Sequence, residues 1–321
     1  MSNGVPIDWT GDIPSGNLWL GCNDNNWHNE GNWKDGVPEP LEEVHVFPTL
    51  KAPIILPGSI AFAGNLNIHN NAILANAGIY AGYADIIIDN GANLTGNGDY
   101  YLGENWENNG TFSSGTSTVT FNGPLPGEIS GSSNNTFYNL DIDKYTNDAM
   151  ITIEDDISVT GELSVTVGEL DILTGKTVST DLVEIESNGS FTNSGTLTGN
   201  LMELKSNGAF TNNGTFNIAD VNIDGTLSND GILKVVNFLW LRDGGTAQGN
   251  GEYQMETAFA AVPGATFIAG TSKVIMNGGN SVNTIFLSGN NNIDFYDLEI
   301  NKSAGSVDIC LLYTSPSPRD S

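Results

Sequence analysis

Tryptophans are the residues of this sequence whose side chains are best suited to contact a ligand directly. Four of the six lie in the first 33 residues, at Trp9, Trp19, Trp27 and Trp33. A flat indole ring suits the apolar face of a pyranose, so these residues are candidates for carbohydrate binding. The alternative is a hydrophobic cap that closes one end of an elongated core. Trp240 stands alone at an outward strand position and is a further candidate contact for carbohydrate.

Carboxylates are the second group with chemical potential. Asp141, Asp143, Asp155 and Asp156 lie within one acidic stretch, and carboxylate oxygens are the ligands that calcium prefers. The stretch matches neither the EF-hand loop nor the Gly-Gly-x-Gly-x-Asp nonapeptide. Two interpretations stay open: a solvated acidic face with no cofactor, or weak Ca²⁺ sites at these four residues.

Motifs for other chemistry are missing from the sequence. None of the three histidines lies at ligand spacing from a cysteine or a second histidine, and no Gly-x-Ser-x-Gly motif occurs. Asp155 and Asp156 are the best acidic pair, but neighbours on a strand point to opposite faces. Glycoside hydrolysis needs carboxylates clustered at one bond, and a lyase needs a basic proton acceptor. A non-enzymatic role is therefore favoured, with a polysaccharide lyase or hydrolase as the alternative.

Charge narrows the range of partners. The chain has 38 acidic and 10 basic residues and a net charge of −28. Nucleic acid and anionic membrane surfaces are poor partners for such a field. No run of about eighteen apolar residues occurs, so we expect no membrane span.

A short repeat predicts the elements that must position these residues. Runs that alternate apolar, polar and apolar residues recur at a spacing of 18 or 19, each followed by a Gly- or Asn-rich turn: 183–185, 202–204, 221–223 and 239–241. Further apolar positions recur with them: Phe191, Phe210 and Leu227, and Leu197, Phe216 and Leu233.

This period predicts an all-β fold, a right-handed parallel β-helix with about three short strands per coil of 17–20 residues. Residues 58–309 would form roughly thirteen coils, a rod about 60 Å long at a ~4.8 Å strand spacing. Residues 1–57 are predicted to be a Trp-rich N-terminal cap region. An array of β-sandwiches is the alternative, and the near-constant period favours the solenoid.

A longer repeat is superimposed on the short one. Residues 111–119 match 266–274 at an offset of 155 residues, and 137–144 match 295–302 at an offset of 158. A module at 111–265 is therefore predicted to start again at residue 266, with further copies in a longer chain.

Short segments within these repeats resemble segments of known proteins. Residues 115–123 (GTSTVTFNG), 130–131 (SG) and 136–140 (TFYNL) resemble repeats of very large secreted or surface proteins of Bacteroidetes-type bacteria, and Trp19-Leu20-Gly21 is also similar. Such proteins are often called adhesin-like. The resemblance implies an extracellular or cell-surface location and a structural or adhesive role, with extracellular polysaccharide or a host or cell surface as partner.

Residues 310–320 break every pattern above. The segment lacks the corner residues and has two prolines within three residues, Pro316 and Pro318. It resembles a translated sequencing adapter, with a natural Pro-rich linker as the alternative. Residues 310–321 are interpreted as a non-native tail with no packed place in the structure, which would leave Cys22 as the only native cysteine. The array is then expected to be cut just after its second module begins.

Overall fold

The computed structural model describes residues 14–133, 135–279, 283–288 and 293–312. Strands make up 56% of the chain, and the described residues contain no α-helix. One 3₁₀ turn, Glu30–Asn32, follows Asn29, whose side chain accepts a hydrogen bond from the Gly31 amide. The chain is a β-solenoid of about 13 turns, which confirms the predicted parallel β-helix class and coil number.

The strands of the first coils are short. In chain order they are β1 Asn17–Leu18, β2 Val44–Val46, β3 Ile54–Ile55, β4 Ile60–Ala63, β5 Leu66–Ile68, β6 Ile73–Asn76, β7 Ile79–Gly82, β8 Ile86–Ile88, β9 Asn93–Gly96, β10 Asp99–Leu102, β11 Trp106–Asn108, β12 Thr111–Ser113, β13 Thr118–Phe121, β14 Gly127–Ser130, β15 Asn135–Phe137, β16 Asn139–Asp143 and β17 Met150–Ile153.

Longer strands that pass around corners of the coil form the middle, and short strands return afterwards. They are β18 Ile157–Ile172, β19 Thr177–Asn193, β20 Thr196–Leu204, β21 Ala209–Asn212, β22 Thr215–Ile223, β23 Thr226–Asn229, β24 Ile232–Leu241, β25 Thr246–Gln248, β26 Glu252–Met255, β27 Ala258–Ala261, β28 Thr266–Ile268, β29 Lys273–Met276, β30 Asn283–Ser288, β31 Asp297–Ile300 and β32 Val307–Leu312.

Parallel pairing arranges these strands into three faces. Face A contains β4, β7, β10, β13, β16, then 162–165, 182–185, 201–204, 220–223 and 238–241, then β27, β30 and β32. Face B contains β1, β2, β5, β8, β11, β14, β17, then 169–172 and 190–193, then β21, β23, β25 and β28. Face C begins as the sheet β3-β6-β9-β12 and continues from β15 through 157–159, 177–179, 196–199, 215–218 and 232–235 to β26, β29 and β31.

Register confirms the alignment predicted from the short repeat. On face A, Val183, Met202, Val221 and Leu239 are successive partners. The predicted apolar sets on the other two faces also pair in register, as Phe191, Phe210 and Leu227 on face B and Leu197, Phe216 and Leu233 on face C. All of these side chains are fully buried, so the solenoid core is a set of columns that run along the rod.

The coil stack begins before the predicted boundary at residue 58. β1 pairs with β2, and β2 pairs with β5, so Asn17–Leu18 and Val44–Val46 already belong to face B. The boundary was placed too late because the spacing between these first strands is irregular and hides the repeat.

The first residues of the proposed non-native tail, 310–312, also pair with a strand of the solenoid. Cys310, Leu311 and Leu312 pair with Phe286, Leu287 and Ser288, so the expectation of no packed place is wrong for residues 310–312. Strand pairing uses backbone groups that every non-proline residue carries, so a sequence without the repeat can still extend a sheet. Residues 313–321 lie outside the described residues.

The second copy of the long repeat lies one face away from the first. β12 and β28 are the matching segments at offset 155, yet β12 belongs to face C and β28 to face B. β13 and β29 likewise lie on faces A and C, with the same burial pattern in both. Seven coils and two further strands separate the copies, so the sequence module is not a whole number of coils.

Three buried asparagines form a hydrogen-bonded column on face B. Asn193 Nδ2 donates to Asn212 Oδ1 and Asn212 Nδ2 donates to Asn229 Oδ1, both at 2.7 Å. Each Nδ2 also donates to a backbone carbonyl, of Thr215, Ile232 and Glu252 in turn. Ile172 occupies the equivalent position below, which leaves Asn193 Oδ1 without a hydrogen-bond partner. Apart from that oxygen, the amide groups of the column are hydrogen bonded inside an apolar core.

Replacing the middle of this column should destabilise the rod. Asn212→Ala removes the donor to the Ile232 carbonyl, the donor to Asn229 Oδ1 and the acceptor for Asn193 Nδ2. We therefore expect a loss of about 2 kcal/mol in the free energy of unfolding. Urea denaturation measures it. The adjacent exposed Asn213→Ala is the control and should change stability by less than about 0.5 kcal/mol. Equal losses in the two variants would contradict the role of the column.

Candidate functional site

The N-terminal tryptophans lie in the interior. Trp19, Trp27 and Trp33 are 2%, 0% and 4% exposed. Trp33 meets both others edge to face, with ring centroids 5.0 and 4.6 Å apart. Trp33 Nε1 donates to the Trp27 carbonyl and Trp19 Nε1 to the Lys51 carbonyl. These three residues therefore pack as a cap, and their interpretation as carbohydrate contacts is wrong because no ring face is open. Trp9 lies outside the described residues.

Trp240 has the opposite environment. Its side chain is 44% exposed on face A, which confirms the predicted outward position, and Phe238 beside it is 49% exposed. The two rings are two residues apart on β24, so their Cα atoms are about 6.8 Å apart on the same side of the strand. The sequence interpretation singled out Trp240 and missed Phe238, although the i, i+2 spacing within an outward-facing pattern was visible.

A shallow groove of about 550 Å³ runs beside the two rings. The rest of its lining comes from three neighbouring coils, namely Asn200 and Leu201, Ala219, Asp220 and Asn222, and Asn237. The groove therefore combines two flat aromatic rings with amide and carboxylate groups.

Strand register explains why the rings border a groove. Asp220 and Asn222 pair with Phe238 and Trp240 on one side, and they carry short polar side chains. On the other side the partners are Ala258 and Ala260, which offer only methyl groups. Two large rings thus stand between rows of small side chains and are not covered by neighbours.

Hydrogen bonds orient the polar side chains of the groove. Asn237 Nδ2 donates to Asp220 Oδ2 at 3.0 Å, and Asn222 Nδ2 donates to Glu203 Oε1 at 2.6 Å. Glu203 in turn lies 3.4 Å from Arg242 Nη1. The groove is therefore built from fixed side chains on a rigid sheet, which lowers the entropy cost of ligand binding.

A line of acids continues along face A away from the groove. Glu184 and Glu203 are direct partners in adjacent coils, as the repeat predicted. Lys205 Nζ lies 2.7 Å from Glu184 and 3.9 Å from Glu203, so its ammonium group offsets the repulsion between them. Burial raises the pKa of Glu162, and a hydrogen bond to Glu184 raises it further. The hydrogen bond from Lys205 holds the pKa of Glu184 below its usual range.

Three of the four candidate calcium ligands, Asp141, Asp155 and Asp156, have other partners. Asp141 accepts hydrogen bonds from the hydroxyls of Ser164 and Thr166, and burial raises its pKa. Asp155 accepts from the Gly131 amide and pairs with Lys176 at 3.2 Å, while Asp156 accepts from the Thr177 amide. Asp143 ends β16, a strand of face A, and Asp155 and Asp156 lie before β18 on face C. Among the described residues no three metal-ligating side chains converge, so the four do not form one site.

Two histidines that the sequence spacing left unconnected meet across coils. His45 Nδ1 lies 2.9 Å from His69 Nε2, His45 Nε2 lies 2.8 Å from the Ser15 carbonyl, and His69 Nδ1 lies 3.0 Å from Asp89. Because the Ser15 carbonyl only accepts, His45 Nε2 donates to it, and a neutral His45 then accepts from His69. Burial lowers the pKa of His45, which favours this neutral form. The chain of groups joins the cap to the next coils.

The fold is a β-solenoid that carries a groove with aromatic and acidic side chains on one face. No model of a known protein family, no curated protein and no solved structure matches the chain. Within the described part of the chain, no helix is long and apolar enough to cross a membrane.

The acid pair on face A should respond to substitution in opposite directions. Because the folded-state pKa of Glu162 is raised above 4.5, the folded protein holds more protons than the unfolded chain above that pH, and stability falls as pH rises through the raised value. Glu162→Gln keeps the hydrogen bond and removes the repulsion, so we expect a gain of about 0.5 kcal/mol at pH 7. Glu184→Gln loses the Lys205 ion pair and should be destabilising. Denaturation at pH 4 and pH 7 checks both signs, and a loss for Glu162→Gln at pH 7 would contradict the pairing.

Calcium binding stays a prediction with a direct test. A thermal melt with millimolar calcium is compared with one in excess chelator, and a bound ion raises the melting temperature by mass action. If Asp155 and Asp156 hold the ion, Asp156→Asn abolishes the shift while Asp143→Asn preserves it. Identical melting temperatures with calcium and with chelator would contradict calcium binding.

Proposed function

We propose that this protein is a structural and adhesive segment of a secreted or cell-surface repeat protein, and that its face A groove binds carbohydrate. The observation that carries the proposal is the exposed pair of Phe238 and Trp240 on one strand beside oriented amide and carboxylate groups. Sugar rings offer apolar C–H faces for aromatic contact and hydroxyls for amides and carboxylates, and this groove has both kinds of partner. Support for the location comes from the resemblance of the repeats alone.

A rigid rod suits the structural part of this role. Coils stack at a ~4.8 Å spacing, so the groove lies roughly 34 Å along the rod from β4 and roughly 14 Å from β32. Further copies of the module would lengthen the rod in proportion, because each coil contacts only its neighbours.

The pair formed by Glu162 and Glu184 is the feature that most resembles the catalytic acids of a polysaccharide hydrolase, the alternative function. Their pKa values are displaced in opposite directions, as in an acid and base pair. Their carboxyl groups are hydrogen bonded to each other, however, whereas glycosidases hold the two groups about 5 Å apart or more. Lys205 also forms an ion pair with Glu184. The geometry therefore favours a structural acid pair, and we propose a non-catalytic role.

Loss of either exposed ring should weaken carbohydrate binding. A glycan array on the wild-type protein identifies a ligand, and titration calorimetry then compares variants. Trp240→Ala and Phe238→Ala should each reduce affinity about five- to tenfold, since an aromatic contact contributes roughly 1 kcal/mol. Tyr83→Ala is the control, because Tyr83 is 48% exposed on an earlier coil. Equal losses for all three variants, or no retained glycan, would contradict the proposed site.

A further inference from the structure

The charge inside the groove comes from one carboxylate. Asp220 is the only charged residue among the described residues that line it. Three nearby carboxylates have cationic partners: Glu184 pairs with Lys205, and both Glu203 and Asp224 pair with Arg242. Within the described part of the chain, no Lys, Arg or His side chain pairs with Asp220. Among the described residues, the side-chain donor to its carboxylate is the neutral Asn237 Nδ2, at 3.0 Å.

A carboxylate beside exposed aromatic rings is a site for an ammonium group. The rings attract a cation through their π faces, and the carboxylate supplies a charge-assisted hydrogen bond. The net charge of −28 adds a field that concentrates cations and repels anions such as uronate polymers. The groove is thus suited to a cationic ligand over an acidic one.

The backbone around the groove favours a glycan over a peptide as the ligand. A peptide that binds as an added strand needs a free sheet edge, but the segment 238–241 is paired on both sides, with 220–223 and with β27. The two rings instead stand about 6.8 Å apart along one rigid strand, which suits a ligand built from successive flat rings. The aromatic spacing and the absence of an edge favour a sugar polymer.

We propose that the ligand of this groove is a glycan with free primary amino groups, whose ammonium contacts the Asp220 carboxylate while sugar rings lie on Phe238 and Trp240. The inference rests on the carbohydrate binding proposed above and adds the chemical class of the sugar. An N-acetylated amino sugar has the same ring but no positive charge, so acetylation isolates the contribution of Asp220.

The test measures binding of a glucosamine oligomer, its N-acetylated counterpart and a glucose oligomer by titration calorimetry at low salt. We expect the glucosamine oligomer to bind wild-type protein about tenfold more tightly than the N-acetylated one, as for a hydrogen bond to a charged group. Asp220→Asn is isosteric, retains an oxygen that accepts from Asn237, and should abolish this preference while leaving the N-acetylated oligomer unaffected. Asp230→Asn, an equal charge change at an exposed corner, should retain it.

The outcomes distinguish this inference from the proposed function. Equal affinity for the glucosamine and N-acetylated oligomers, with both weakened by Trp240→Ala, overturns the amino-sugar assignment and leaves carbohydrate binding standing. If Trp240→Ala weakens the binding of none of the three oligomers, both the amino-sugar assignment and carbohydrate binding are overturned. Tighter binding of an oligolysine peptide than of the glucosamine oligomer assigns the groove to a cationic peptide and overturns the glycan. Unchanged melting temperatures show that the variants are folded.

Discussion

The interaction on which the rest of the structure depends is the parallel pairing of each coil with the next. Pairing in register places every side chain about 4.8 Å from its equivalents in the adjacent coils. The side chains at equivalent positions of adjacent coils must therefore be compatible with one another. Inward columns meet this condition with apolar residues or with amides, which both donate and accept, as in the column formed by Asn193, Asn212 and Asn229. Like charges fail it, and Glu184 and Glu203 persist because Lys205 lies between them.

The same constraint explains how much of the fold could be predicted. Residues one coil apart in sequence are spatial neighbours, so aligning the repeats predicted the pairs Val183 with Met202 and Phe191 with Phe210. Where the repeat stops, no equivalent positions exist to align. The burial of the cap tryptophans depends on contacts between Trp19, Trp27 and Trp33 that no period describes, and the pairing of Cys310 depends on backbone groups alone.

The candidate site was only partly predictable for a related reason. The outward position of Trp240 follows from the alternation of its strand. The groove requires in addition that Asp220 and Asn222 precede the rings and that Ala258 and Ala260 follow them, one coil away on either side. Comparing equivalent positions for their differences, as well as for their similarities, would have identified this set. The contact of His45 with His69 was missed because spacing rules for metal ligands consider one segment at a time.

A binding site on a solenoid must arise where a column changes character. Along one outward column of face A the residues are Glu184, Glu203, Asn222, Trp240 and Ala260, so paired charges give way to an amide, a ring and a methyl group within five coils. The long repeat adds a second consequence, because β28 lies one face away from β12. In an array that keeps this offset, successive copies of the groove would point to successive faces. The corresponding grooves of such a rod would lie around its circumference and not along one side, because each copy begins on the face before.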